Sequence, residues 1–353
     1  MKKAKLLSLL LCVVPMTACG AQGVETINNE EALKKELPEL VKTTADAYGD
    51  NECATLTVDI KSFNLNVTRG DLTAKVPVSG QVVLGAKNVY TTEAPKLEAG
   101  IVFKNFSFGV DYQKAEGEKK SYQVKDFSMG AYLNNKNLYV DISSTSLMDG
   151  IVSIVSDLLG GNQLISSTLK TALGKGKYVI KDVIKDEQFP IVKKEDVTLE
   201  NISTRINDYA ELIEDEDLQK IMSLTHNKGD NTYALKLTLN DPALINKEMN
   251  EQSSLPLSVK GQCDAINLTL EVTTDGKGVF SGVKVAGDIS YKGDDAENPT
   301  TSKLSLDVEA KLDFSKYGIE TPDFTDYKSP EALMGFISQI IGGLVPNGGS
   351  DAE

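Results

Sequence analysis

Residues 122–142 read YQVKDFSMGAYLNNKNLYVDI, two runs of alternating polarity on either side of the turn sequence Asn134-Asn135-Lys136-Asn137. Alternation with a period of two places one side of a strand against a core and the other side in solvent. Asparagine favours turns because it tolerates left-handed backbone. The stretch therefore predicts a β-hairpin in an antiparallel sheet that buries one face.

The same period of two recurs along most of the chain on both sides of this hairpin. Asp275-Gly276 is predicted as a tight turn between two further strands, because both residues accept positive φ. No strand–helix–strand rhythm appears, which argues against a doubly wound parallel sheet. The other predicted strands cover residues 55–68, 76–84, 101–112, 233–239, 266–272, 279–285 and 304–314.

Helical spacing of apolar residues occurs in fewer places. The last helix is predicted to start at Ser329-Pro330-Glu331, with a capping serine and proline at its first position. The predicted fold class is α+β: a large curved antiparallel β-sheet, half-barrel-like, with helices packed on one face. The remaining predicted helices cover residues 29–48, 147–158, 164–173 and 204–224.

The first residues, MKKAKLLSLLLCVVPMTACG, have the composition of an export signal. Lys2, Lys3 and Lys5 precede an apolar run at residues 6–14. A membrane-spanning helix needs about 20 apolar residues, so this run is too short to span a bilayer. A basic start, a short apolar core and small residues at its end are typical of a secretory signal.

Met16-Thr17-Ala18-Cys19 resembles the bacterial lipobox, in which an apolar residue and two small residues precede an invariant cysteine. This resemblance implies a diacylglycerol on the sulfur of Cys19 and removal of residues 1–18 as a lipoprotein signal peptide. The alternative is ordinary secretion, whose cleavage needs small residues three before and one before the cut. Met16 does not meet that need.

The mature chain is predicted to contain one large domain. Residues 19–28 are small and polar without a periodic pattern, and they are interpreted as a flexible tether. Residues 29–345 form the predicted α+β domain, and residues 346–353 read as a disordered tail. The 41% hydrophobic content suffices for a large core.

The charge of the chain excludes some partners. Removing the three lysines of residues 1–18 changes the formal net charge from −14 to −17. So acidic a protein repels nucleic-acid phosphates and anionic lipid surfaces alike. The protein is therefore expected to attach to its membrane partner through the acyl chains on Cys19, and two such chains suffice for stable anchoring.

Cys53 and Cys263 are the cysteines that remain beyond the anchor. Each precedes a predicted strand of an exported protein, where oxidation is permitted. They either meet at one end of the sheet as a disulfide or remain two separate buried thiols.

Motifs for catalysis or metal binding are mostly absent from the sequence. His226 is the only histidine, and its polar surroundings predict a surface loop rather than a triad or a zinc site. The acidic run at residues 214–217 lacks the spacing of a calcium loop. Residues 167–170 and 281–284 both match S-x-x-K without its companion motifs. We therefore expect no enzyme, metal or cofactor. One alternative stays open, a hydrolase that uses two paired carboxylates, because such a pair leaves no recognisable motif in the sequence.

The order of elements resembles the LolA/LppX-like lipoproteins. The resemblance rests on the export signal, on residues 130–145 (GAYLNNKNLYVDISST), on the helical insert at 147–173 and on the closing strands at 266–314. It implies a half-barrel sheet whose concave side is crossed by helices and binds lipids or lipid anchors. No ligand contact of that family transfers residue by residue.

Two functions follow as expectations. The first is a lipoprotein that binds a lipid or other apolar ligand in the hollow of the sheet. The second is a surface interaction or structural lipoprotein with a filled core and a protein partner. The alternative for the candidate ligand lining is a plain core under the helices. The candidate lining residues are Phe103, Phe106, Phe108, Met129, Met148 and Phe336.

Overall fold

A computed structural model of the protein describes residues 24–27, 30–50, 52–91, 93, 96–114, 117, 119–158, 163–184, 221–243, 245–246, 261–293, 299–331 and 334–335. The helices are α1 (Glu30–Asp50), α2 (Thr145–Leu158) and α3 (Gln163–Leu173). The strands are β1 (Val24–Ile27), β2 (Cys53–Arg69), β3 (Leu72–Lys87), β4 (Glu98–Lys114), β5 (Lys120–Asn134), β6 (Asn137–Asp141), β7 (Lys177–Ile180), β8 (Met222–Asn227), β9 (Thr232–Leu239), β10 (Gly261–Thr274), β11 (Phe280–Gly293) and β12 (Thr300–Asp313).

All strands belong to one antiparallel sheet with the order β1-β8-β9-β10-β11-β12-β2-β3-β4-β5-β6-β7. The order contains two meanders, β2 to β7 and β8 to β12, in which neighbours in space are neighbours in sequence. The pairing of β12 with β2 joins the meanders, from Thr300 opposite Arg69 to Asp313 opposite Thr55. The predicted α+β class with a large antiparallel sheet is thus confirmed.

Both central strands of the predicted hairpin are present, and Asn135 and Lys136 in its turn have φ of 46° and 64°. These positive values are those of a two-residue hairpin turn whose twist suits the flanking strands. The other predicted turn is different. Asp275-Gly276 begins a five-residue connection in which Gly278, at φ 80°, has the positive value. The Asp275 carboxylate stabilises this loop by accepting hydrogen bonds from the amides of Lys277 and Val279.

Two further predictions about elements are corrected. Residues 24–27 form strand β1 on β8, so this part of the predicted tether belongs to the sheet. Residues 222–224 belong to β8 and not to a helix, because Leu224 pairs with Leu235 in the sheet and is fully buried. The rest of the predicted helix at 204–224, and most of the helix after Pro330, lie outside the described residues.

The helices pack on the same face of the sheet, here called the helix face. Directly paired residues of antiparallel strands point to the same side, so one row of pairs traces this face from strand to strand. On it, α1 contacts β8 through Leu37 and Leu40 against Leu224. The row consists of Leu224, Leu235, Val272, Val283, Ala310, Val58, Val82, Phe103 and Met129.

The α2–α3 pair covers the other part of the helix face. Leu147 of α2 packs with Val124 and Phe127 of β5. Val152 of α2 packs in turn with Leu169 and Leu173 of α3. The predicted packing of helices on one face is thus confirmed for the described helices.

A line of irregular pairing bends the central strands. Registers shift between Ile60 and Phe63 of β2 and between Phe103 and Phe106 of β4. Gly80 of β3 lies between the two shifts at φ 130°, where an added Cβ would lie 2.6 Å from the Cα of Phe106. Bulges bend and twist the strand that carries them, so this line bends the sheet at its centre.

Residues 315–328 cross the opposite face of the sheet and are here called the strap. Ile319 of the strap packs with Val83 and Tyr132. Gly85 and Gly100, paired in register, make room for it, since an added Cβ on Gly100 would lie 3.0 Å from Cδ1 of Ile319. The strap reaches the outer edge of β7, where Val179 N donates to Lys328 O at 2.9 Å.

Candidate functional site

An apolar hollow opens on the helix face where β12 and β2 to β6 lie side by side. It has a volume of about 520 Å³, and its lining contains only alanine, glycine, leucine and isoleucine. Pockets of this size and character are typical of small-molecule sites. The side chains that line the hollow from the helix face are Ala54, Leu56, Leu84, Ala86, Ala99, Ile101, Ala131, Leu133, Leu138 and Leu312.

Two rows of paired residues form the hollow. One row places the alanines at 54, 86 and 99 opposite one another, and it continues through Leu133 to Leu138. The adjacent row runs from Leu312 through Leu56, Leu84 and Ile101. Because the alanine side chains are short, their row forms a depression beside the taller leucine row.

Within the part of the chain that the structure describes, the hollow is open to solvent. Leu84 at its centre keeps 36% exposure, and Leu56 and Ile101 are only half-buried. A leucine on the helix face of a sheet normally packs into a core. An accessible cluster of apolar side chains marks a site that receives another apolar group.

The predicted lining residues lie next to the hollow, mostly under α2. Phe106, Phe108 and Met129 pack into the cluster of Val124, Phe127 and Leu147, so they are core residues beneath the helix. Phe103 contacts Phe106 with ring centroids 5.1 Å apart. It lies on the row next to Leu84 and Ile101, at the boundary between the core and the hollow.

The other two predicted lining residues do not reach the hollow. Met148 packs between α2 and α3 in the cluster with Leu169 and Leu173. Phe336 lies outside the described residues. The sequence signal that was missed is the repeated Ala–x–Leu or Leu–x–Ala spacing at 54–56, 84–86 and 131–133. In each of these strands an alanine two residues from the leucine leaves space on the helix face that a larger side chain would fill.

The opposite face of the same strands carries a polar groove of about 390 Å³. Its lining includes Ser62, Asn64, Ser79 and Gln123. This groove differs in character from the apolar hollow, and it is separate from the part of the opposite face where the strap packs on Val83 and Tyr132.

Cys53 and Cys263 are free thiols at opposite ends of the sheet. Cys53 begins β2 beside the end of β12, where its Sγ lies 3.5 Å from Phe314 O. Cys263 begins β10, which runs antiparallel to β2, and it lies beside Tyr291. Of the two alternatives for these cysteines, the structure favours separate thiols, because β2 and β10 begin at opposite ends of the sheet. Burial raises the pKa of the Cys263 thiol.

His226 lies in β8 and stacks on Tyr233 with ring centroids 4.1 Å apart. Its Nε2 lies 3.0 Å from Oδ1 of Asn231. The asparagine amide is uncharged, so it does not act as the carboxylate partner of a histidine in proton transfer. Within the described ranges, no group of three or more histidine, cysteine or acidic side chains is placed to hold a metal ion.

The lipobox residues Met16, Thr17, Ala18 and Cys19 lie outside the described residues. None of the helices in the described part combines the length and apolar character that crossing a bilayer requires.

Comparison with protein-family models gave no match for this chain. Comparison with curated proteins likewise gave no match.

Proposed function

We propose that this protein is a membrane-anchored extracytoplasmic lipoprotein that takes a lipid or other hydrophobic ligand into the apolar hollow of its sheet. The observation that carries the proposal is the half-exposed, wholly apolar lining around Leu84. Every methylene that moves from water into such a lining contributes ~0.8 kcal/mol. A ligand with an acyl or isoprenoid chain fits this lining best.

The lipobox supports the membrane location. Acylation of Cys19 supplies the attachment that the acidic surface of the chain does not provide. The proposed ligand and the membrane both consist of lipid, so the bilayer that carries the protein can supply the bound lipid.

The LolA/LppX-like half-barrel is the fold that we propose for the sheet. Its support is the antiparallel order, the bend at Gly80 and the helices on one face. In such a half-barrel the helix face is the concave side, and the hollow is the part of it between the helix groups.

A protein partner is the alternative occupant. The exposed leucine row around Leu84 also suits an apolar side chain inserted from another protein. The two occupants are distinguished by whether a lipid or another protein co-purifies with the chain.

The first test is native mass spectrometry with lipid extraction. It uses residues 20–353 secreted from a bacterial host, a form that keeps every described residue and lacks the acyl anchor. We expect a stoichiometric phospholipid or glycolipid in the wild-type protein and a several-fold lower occupancy in Leu84→Gln. The reason is that the glutamine amide loses hydration without a partner in the hollow.

Leu72→Gln is the matched control. Leu72 is on the same strand and the same side as Leu84, it is 38% exposed, and it lies outside the hollow. Lipid occupancy equal to that of wild type is expected for Leu72→Gln. A clean apo mass of the wild-type protein, with no uptake of added lipids, would overturn the proposal in favour of a protein partner.

A further inference from the structure

Strand β1 fixes where the proposed anchor leaves the sheet. Val24 pairs with Asn227, the last residue of β8, and Ile27 pairs with Leu224. The chain therefore enters β1 beside the β8–β9 turn. Five residue steps separate Val24 from Cys19, and an extended chain covers at most about 18 Å over that length. The acylated cysteine thus lies close to this end of the sheet, here called the anchor end.

The hollow lies at the same end. The β8–β9 turn, the β10–β11 turn, the end of β12 and the start of β2 are all at the anchor end, because each pair of neighbours is antiparallel. The lining residues are within four positions of that end in each of their strands. Leu56 is close to the start of β2, and Leu84 is close to the end of β3.

The charges of the strand connections differ between the two ends. At the anchor end the four connections between consecutive strands each contain a lysine, and none is net negative. These connections are residues 88–97, 135–136, 228–231 and 275–279.

At the other end, here called the far end, four connections are each net negative, and the fifth, residues 142–176 with α2 and α3, is neutral. The negative connections are residues 70–71, 115–119, 240–260 and 294–299. An anionic lipid surface attracts lysine and repels carboxylates within about a Debye length, ~10 Å. Among the connections between consecutive strands, such a surface therefore repels those at the far end more than those at the anchor end.

We infer that the anchor end of the sheet faces the surface of the lipid bilayer, so that the hollow on the helix face lies next to that surface. This inference rests on the proposed acylation of Cys19 and adds an orientation to it. A lipid chain leaving the bilayer then enters the hollow without crossing the length of the sheet. That length is about 50 Å for the 16 residues of β3.

The test places fluorophores at the two ends of the full lipidated chain in anionic phosphatidylglycerol vesicles that contain headgroup-quencher lipids. Lys96→Cys and Lys277→Cys label the anchor end, and Lys119→Cys is the matched lysine replacement at the far end. All three side chains are exposed. Each variant also carries Cys53→Ser, while Cys263, at 3% exposure, is protected from the label.

We expect the quencher lipids to reduce the fluorescence at positions 96 and 277 several-fold more than at position 119. Equal quenching at both ends, stronger quenching at 119, or no quenching at any position would overturn the orientation. Mass analysis of the N-terminal peptide reports acylation separately. A chain without diacylglycerol on Cys19 would overturn the proposed anchor and the orientation together, whereas an acylated chain with the wrong quenching pattern would overturn the orientation alone.

Discussion

Asp157, near the end of α2, joins the helix to β5 by two hydrogen bonds. Tyr122 donates its phenol hydrogen to the carboxylate, and Lys120 Nζ donates to it at 2.9 Å. The bond from Tyr122 is the largest cause that lowers the pKa of Asp157 below its ordinary value of 3.8. The same bond raises the pKa of Tyr122 to about 12.

The Asp157→Asn variant tests the effect of this cluster on stability against pH. The lowered pKa of Asp157 means that its contribution is present above pH 3.8 and is lost as the pH falls through the pKa of the folded state. The raised pKa of Tyr122 means that its contribution is present below its ordinary value of 10.0 and is lost as the pH rises toward 12. We therefore expect Asp157→Asn to be less stable than wild type between these limits and to converge with it outside them.

Urea unfolding at a series of pH values measures the difference, and ultraviolet titration of tyrosinate reports Tyr122 directly. Asp149→Asn is the control, since it removes a carboxylate of the same helix that pairs with Lys170 at 3.0 Å. Identical pH profiles for wild type and Asp157→Asn would contradict the assigned coupling.

Among the elements, α1 depends on one buried hydroxyl for its position on the sheet. Thr44 Oγ1 accepts a hydrogen bond from Phe280 N at 2.8 Å and donates one to Leu40 O at 2.8 Å. Thr44 is only 6% exposed. Phe280 lies where the pairing of β10 with β11 is irregular. Its amide therefore has its hydrogen-bond partner in the helix and not in the sheet.

The Thr44→Val variant keeps the shape of the side chain and removes the hydroxyl. We expect a loss of about 1–3 kcal/mol in the free energy of unfolding, because the Phe280 amide is left without its partner. Thr43→Val is the control, since the Thr43 hydroxyl is exposed and bonds only to Glu39 O of its own helix. Urea denaturation that gives equal stabilities for the two variants would show that the Thr44 bond does not hold α1 in place.

Long elements were predictable from the sequence, and of the short ones only β6 was, through the turn that precedes it. The alternation over residues 304–314 predicted β12 because apolar residues occupy every second position without interruption. Strands β1, β7 and β8 have four to six residues, which is too short for a period to stand out. They exist because the sheet offers each of them a partner strand.

The candidate site was predictable only in part, because the packing of whole helices decides which apolar residues of the sheet are covered. Phe103 and Phe106 are three residues apart, so regular alternation would place them on opposite faces, and they share the helix face only because the strand pairing is irregular between them. Whether a helix covers them depends on where α2 docks, and no local pattern shows that. The hollow itself consists of alanines and leucines that look like ordinary core residues until the sheet shows that they are left open.

For the whole molecule, the antiparallel order separates the two thiols. Reductant should leave the urea midpoint of the secreted residues 20–353 unchanged, since no covalent link between Cys53 and Cys263 exists to be broken. A chromogenic thiol reagent should detect Cys53 in the native protein and Cys263 only after unfolding, because Cys263 is 3% exposed.

The Cys53→Ser variant identifies which thiol reacts first. It should abolish the native reaction and keep the one that follows unfolding. A reductant-dependent midpoint, or the absence of both thiols after unfolding, would contradict the separation of the cysteines in the sheet.

The pairing of β12 with β2 has a consequence for synthesis. Strands β2 to β7 leave the ribosome in the order in which they lie in the sheet, so this meander can form while the chain is still growing. The partner of β2 is residues 300–313, more than 230 residues after the end of β2. Until those residues arrive, β2 is a long apolar-faced edge strand, the type of edge that pairs with other chains and aggregates. A growing chain of this protein therefore leaves β2 open to such pairing until its last strand is complete.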